Sequence, residues 1–355
     1  MTTVRRLLGL HEHLSVVDIV LAILRVVVIL FVVTGIYATI SKGTFTLDEW
    51  GSLAVGGLAL GAVYALLALG YTLVYGILFM INFAHGDVFM TGAFTAYFAA
   101  AALANSGFLA QNEVLSFIIV LLISSGVAAL VAVVLERVAY RPLRNAPRLV
   151  PLITAIGASL FLENTVRGLY GAGVKAYPTW KMFQGSIFLF GIEISYSRIV
   201  VVFGAIAMML GLYWFVERTR TGRAMRAVSD NKDVAAMMGI DVDRVILTTF
   251  AIGGLLAGAA GILYTLIFNQ VGYFMGFVPG IKAFTAAVLG GIGNIVGAML
   301  GGLLLGVLES VGPYLLLDGF NIPSVNQLKD VVAFLVLVLV LIFRPSGILG
   351  RKENV

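Results

Sequence analysis

The sequence predicts an all-α polytopic membrane protein with about ten membrane segments, one of them broken or re-entrant, and both termini cytoplasmic. Three observations predict it. Of 355 residues, 60% are hydrophobic and 12% charged, about half the charged share of soluble domains. Apolar runs of about 18 residues or more, long enough to cross a hydrocarbon core of about 30 Å, recur along the whole length. The basic residues gather in short connectors between those runs, so the net charge of +5 marks membrane orientation and not a nucleic-acid-binding face.

The first span falls at about 16–39, inside an N-terminal extension covering 1–49. Arg5 and Arg6 precede it as in a signal peptide, but the run is too long for one and contains Asp18 and Arg25, so it reads as a retained helix. Arg25 should face protein or snorkel to the interface. The second span, about 51–79, carries Gly57 and Gly61 as a small-residue packing face. After a polar break at Asn82, His85, Gly86 and Asp87, the third span runs to about Leu103. The fourth, about 115–136, ends in a loop with Arg137, Arg141, Arg144 and Arg148, which the basic-residue rule places inside. In the fifth, about 150–170, Glu163 and Arg167 are spaced for an intrahelical pair. A loop of about 25 residues with Tyr177, Pro178, Trp180 and Phe183 suits an ordered outer surface. The sixth span is about 197–216 and the seventh about 246–268, with Gly253, Ala257 and Gly261 at intervals of four.

The run from 283 to 317 is too long for one crossing, since its 35 residues would measure about 52 Å as a helix. Its middle, GGIGNIVGAMLGG, favours two segments meeting near Gly293 to Gly297. The last span is about 328–343, followed by Arg344, Pro345 and a cytoplasmic tail at 351–355. This arrangement puts 15 of the 23 Lys and Arg inside and seven outside.

The most charged stretch, within 217–245, is organised. Residues Glu217 to Arg244 hold six of the 23 basic residues, yet the stretch contains no proline and reads as two short helices. Thr221 is placed to cap the first, and Gly239 to end the second in a left-handed turn. Ala224, Ala227 and Val228 fall on one face, with Arg223, Arg226 and Asp230 on the other. Two readings stand: a solvated positive-inside loop, or a docking element for a partner that supplies energy.

Enzymatic constellations are missing from the sequence. No Gly-Lys dipeptide occurs, so there is no Walker A loop; no Gly-x-Ser-x-Gly elbow occurs, and with zero cysteines there is no thiolate nucleophile or thiolate metal site. His11-Glu12-His13 lacks the spacing of a helical zinc site. The chain therefore reads as a transporter and not an enzyme. A secondary transporter would need more intramembrane ionisable groups than Glu163, Arg167 and Glu309, which lie near span ends.

Five stretches together resemble the inner-membrane permease of the branched-chain amino-acid ABC importers, closest to the H-type subunit. They are INFAHGDVFMTGAF, RVAYRPLRNAPRL, TGRAMRAVSDNKDVAAMMGI, KAFTAAVLGGIGNIVGAMLGGLLLG and RPSGILG. The resemblance covers the transmembrane domain at 50–350. It implies a prokaryotic inner-membrane location and a partner M-type permease. It also implies two cytoplasmic ATPase subunits that bind ATP and Mg, an extracytoplasmic binding protein and surrounding lipid, with no cofactor in this chain and no nucleic acid. Leucine, isoleucine and valine are the expected cargo, with urea, amides or other amino acids as the alternative. Thr221, Gly222, Arg223, Arg226, Asp230 and Gly239 match the position of the family's ATPase-coupling helix. The path is sought where helices break, at Asn82, His85 and Asp87 and at Gly290, Gly293, Asn294 and Gly297. For both places a structural role, helix capping in the first and glycine packing in the second, stands beside the transport role.

Overall fold

The computed structural model describes residues 16–350 apart from Asn145, Arg148, Phe190 and Pro345, and only the backbone of 16–18. Expectations resting on Arg5, Arg6, the His11–His13 cluster, the Asp18 side chain, Arg148, Pro345 and the tail at 351–355 lie outside the described residues. The helices are α1 (Val16–Lys42), α2 (Leu47–Leu78), α3 (His85–Asn105), α4 (Glu113–Leu135), α5 (Leu149–Tyr170) and α6 (Tyr196–Arg218), then the short α7 (Arg220–Asp230) and α8 (Lys232–Met237). They continue with α9 (Val242–Phe268), α10 (Phe277–Gly290), α11 (Ile295–Leu317) and α12 (Lys329–Phe343). Among the described residues nine helical stretches are long and apolar enough to cross a membrane, and α10 is a shorter apolar helix. Two small antiparallel pairings cover the outer side. Strand β1 (Lys175–Ala176) pairs with β4 (Gln270–Val271), and β2 (Ser186–Leu189) with β3 (Ile192–Ser195).

The core forms around α2, which is buried along most of its length, and α9. Helix α2 starts in a capping box, Thr46 with Glu49, and ends in a left-handed Phe79. Its Gly57 and Gly61 meet Gly302 and Gly306 of α11 so closely that a Cβ on any of the four would strike backbone. Without a hydrophobic force between helices in lipid, such close approach maximises dispersion contacts. The α9 glycines act alike: Gly254 and Gly258 seat on Ala128 and Ser124 of α4, and Gly261 on Phe89 and Ala93 of α3. Ser124 Oγ donates to Gly258 O at 2.7 Å.

The outer loop is ordered as expected, with Tyr177 and Trp180 buried. Helix α1 packs at the edge through its C-terminal half. Lys42 Nζ donates to Asp318 O at 2.9 Å, Thr39 Oγ1 accepts from Gly319 N at 2.9 Å, and Phe31 stacks on Phe320. Arg25 is exposed, with its guanidinium 5.0 Å from the centre of the Phe343 ring. The expected Glu163–Arg167 pair does not form; Arg167 lies over the Tyr273 ring at 5.5 Å instead.

Two boundaries move. The short helix begins at Phe277, not 283, because Pro279 sits in its first turn, where a missing N–H costs nothing. Lys282, counted among the outside cations by the sequence reading, is therefore buried within it. The break occupies residues 291–294, slightly before the expected Gly293–Gly297.

Candidate coupling element and transport path

Helices α7 and α8 form the cytoplasmic hairpin between α6 and α9. Each start is fixed by a side chain: Thr219 Oγ1 accepts from Gly222 N at 3.0 Å, Asn231 Oδ1 from Asp233 N and Val234 N at 3.0 Å, and Asp241 Oδ1 from Arg244 N at 3.0 Å. The cap is thus Thr219; Thr221, expected in that role, is the second residue of the helix. Gly222 makes the α6–α7 corner possible, since a Cβ there would meet Val216 O and Phe215 O. Gly239 has φ +81. Its N–H donates to Ala236 O and that of Ile240 to Ala235 O, the double bond of a left-handed helix end.

The faces divide as expected except at Arg226. Val228 is buried with Gly222 and Met225, Ala224 and Ala227 pack against the core, and Arg223 and Asp230 are exposed. Arg226, expected on the docking face, is spent inside the chain. Its guanidinium donates to Val216 O at 3.0 Å and Glu217 O at 3.3 Å and pairs with Glu217 Oε2 at 2.5 Å, satisfying the open carbonyls at the end of α6. Sequence reasoning missed the apolar part of the surface: Val234, Met237 and Met238 are 49%, 77% and 79% exposed on α8. The Met-Met pair is legible in the sequence, but two residues give too short a run to reveal a face. Lys232 has its pKa lowered by burial, then by the nearby Arg144 cation.

The start of α9, just after the hairpin, is tied to a second basic loop. Helix α4 continues through a π turn (Glu136–Tyr140) and a 3₁₀ turn (Arg141–Leu143). Arg144 pairs with the buried Glu136 and with Asp243, and Arg141 reaches Asp243 at 2.5 Å. The π turn also aims buried Tyr140 inward, where its hydroxyl donates to Asn82 Oδ1 at 2.6 Å.

Asn82, His85 and Asp87 neither cap α3 nor face open space; all three are buried between helices. Ser159 Oγ of α5 donates to Asp87 Oδ2 at 2.5 Å. His85 lies against Gly70, where any side chain would collide with its ring, and edge-on to Tyr71 at 5.0 Å. At the break, Gly290 and Gly297 touch backbone to backbone, Gly291 and Gly293 take φ +106 and +89, and Asn294 caps α11 by accepting from Gly297 N at 3.0 Å. The two predicted places flank one recess of about 10 Å³ between Tyr71, Tyr75, Ile81, Phe284 and Ile292. Its volume suits about one water molecule, not an amino acid.

Sequence reasoning also missed a buried ion pair extended by an exposed carboxylate. Lys282 Nζ of α10 lies 2.7 Å from Glu309 Oε1 of α11 and 2.5 Å from Asp330 Oδ1 of α12. Tyr64 of α2 donates to the same Glu309 oxygen at 3.4 Å, and Glu309 Oε2 is buried without a partner. A lysine inside an apolar run was the available signal.

Nine long apolar helices among the described residues, with a broken glycine-rich helix and a capped hairpin between α6 and α9, define a multi-pass membrane protein. Within that class, the chain belongs to the family described as branched-chain amino acid transport system / permease component, whose profile matches residues 53–341. It is 46% identical over 302 residues to the high-affinity branched-chain amino acid transport system permease protein BraD of Pseudomonas aeruginosa, covering 84% of this chain and 95% of that one. It is 43% identical to LivH of Salmonella typhimurium and 41% to LivH of Escherichia coli, each over 84% of this chain and 94% of the relative. The chain is a permease component of the inner membrane and not itself an enzyme. The family profile begins beyond α1.

Proposed function

We propose that this chain is the transmembrane permease subunit of an ATP-driven importer for leucine, isoleucine and valine. It works with a second, M-type permease, two cytoplasmic ATPases and an extracytoplasmic binding protein. The observation that carries the coupling half of this reading is the α7–α8 hairpin. It is fixed at both ends by side-chain caps, yet turns Val234, Met237 and Met238 toward the cytoplasm beside Arg223 and Asp230. Thioether side chains adapt to an apolar groove, and charges around them set register. ATP and Mg reside in the partners, where nucleotide-driven closure pulls on this hairpin. Movement of packed helix groups then alternates access from the two sides.

The path lies outside the small recess, at the junction with the second permease. The break at 291–294 is the movable part that opens it. Affinity purification of the tagged chain from its native membranes in mild detergent tests the assembly. The expected outcome is recovery of a second permease and of ATPases carrying a Walker A loop. Accumulation of leucine against its gradient by the purified chain alone in liposomes would overturn the reading.

A further inference from the structure

The inner end of α2 is held from two directions by elements far apart in sequence. On one side, the inward face of α7 (Gly222, Met225 and Ser229 at helical spacing) turns away from the exposed Arg223 and Asp230. From that face Ser229 Oγ donates to Gly76 O at 2.6 Å. A residue later in the hairpin, Lys232, lies over the ring of Phe79, the left-handed end of α2, at 5.9 Å. On the other side, Gly76 faces the helix break: a Cβ there would lie 3.9 Å from Gly293 Cα and 3.7 Å from Ser229 Oγ. One glycine thus separates the coupling hairpin from the α10–α11 break.

The break is itself clasped by the end of the chain. Ile348 N donates to Leu289 O at 2.8 Å and Leu349 N to Gly290 O at 3.0 Å, satisfying the last carbonyls of α10 as a strand would. Asn294 works both ways. Its Oδ1 caps α11, and its Nδ2 donates to Leu349 O at 2.8 Å. Gly347 and Gly291 have positive φ and approach so closely that neither site has room for a side chain. Residues 346–350, which neither docking nor the path uses, are therefore a strap across the interruption between α10 and α11.

We infer that Ser229 and Asn294 are positioning residues of one cytoplasmic joint, in which Ser229 carries displacement of the coupling hairpin through Gly76 to the helix break, and Asn294 and residues 346–350 bind the short helix to it. The hairpin then moves α10 without touching it. The inference rests on the reading of α7–α8 as the ATPase-coupling element. Neither residue lies on the surface offered to the partner. Their loss uncouples hydrolysis from transport and leaves assembly intact.

The test uses the complete complex, co-expressed with its cognate partners and reconstituted in liposomes, with ATP hydrolysis and leucine uptake measured on the same vesicles. Ser229→Ala removes the hydroxyl. Asn294→Ser keeps a capping oxygen for Gly297 N but removes the amide that holds Leu349 O. Each variant is expected to co-purify with the ATPases. Each should lower leucine carried per ATP hydrolysed about fivefold, the loss of one well-placed hydrogen bond. Ser229→Thr, which restores a hydroxyl, returns the ratio toward wild type. An unchanged ratio in both variants, or hydrolysis and uptake falling in parallel, overturns the inference. Failure of the coupling reading has a different signature: the unmodified chain would not retain ATPases at all.

Discussion

Arg223 and Arg226 are three positions apart, yet the structure gives them different work. Arg226 closes the carbonyl end of α6, while Arg223 stands free on the hairpin surface. Replacing Arg223 with Glu should abolish ATPase co-purification and leave thermal stability in detergent unchanged. Replacing Arg226 with Ala should cost about 1 kcal/mol of stability, the net worth of such partly exposed bonds, seen as a lower unfolding temperature. The cap makes a sharper pair. Thr219→Ala removes the acceptor for Gly222 N and should cost about 1 kcal/mol, whereas Thr221→Ala should be neutral by the same thermal assay. The sequence offers both threonines to the same helix start, and nothing local separates them. What decides is tertiary: α6 runs helically to Arg218, and the tight corner over Gly222 leaves Thr219 as the only residue with extended backbone at the junction. Composition located the hairpin and Gly239 located its end, but which cation faces outward depends on where α6 stops.

The broken helix was legible as an element because length alone forbids a straight crossing. Its register was not. Lysine at 282 reads as a boundary to any hydropathy argument, and only the packing of α10 on α11 and α12 shows the charge compensated inside. Glycine content marked the break, but the several glycines there do unequal work. Gly291 has φ +106 and abuts the Gly350 backbone; Gly293 has φ +89 and open space around its Cα. Both substitutions by Ala force a left-handed residue, at about 1–2 kcal/mol. Only Gly291→Ala adds a backbone collision with the strap. The expected result is that Gly293→Ala assembles and transports at reduced stability, while Gly291→Ala loses monodisperse protein on size exclusion. Equal behaviour of the two would show that the strap does not bear on the break. The Asn82, His85 and Asp87 cluster shows the opposite limit. Its polarity was visible, but helices α4 and α5 supply Tyr140 and Ser159 from far along the chain, turning a candidate path into a packed junction.

At the scale of the whole molecule, two kinds of contact organise ten membrane segments. Glycine faces bring α2 against α11 and α9 against α3 and α4, and a few polar ties fix elements that glycine packing leaves free to slide. The Lys282–Glu309–Asp330 cluster is the deepest tie, joining three helices with Tyr64 of α2 alongside. The lysine inside an apolar run is its one trace in the sequence, because its partners lie 27 and 48 positions away and pair across helices. Breaking a buried ion pair is costlier than never having had it, since the partner is left as an uncompensated charge. Lys282→Met should therefore destabilise by about 3–5 kcal/mol and leave little folded protein, because Glu309 then has only the Tyr64 hydroxyl. Glu309→Gln should be milder, for Asp330 still neutralises the lysine. The double variant Lys282→Met with Glu309→Leu should recover folded protein beyond the Lys282→Met level, as measured by thermal unfolding in detergent. If the double variant is no more stable than Lys282→Met alone, the cluster does not act as a coupled pair, and the lysine must hold α10 by its contacts with Asp330 and the Tyr64 ring.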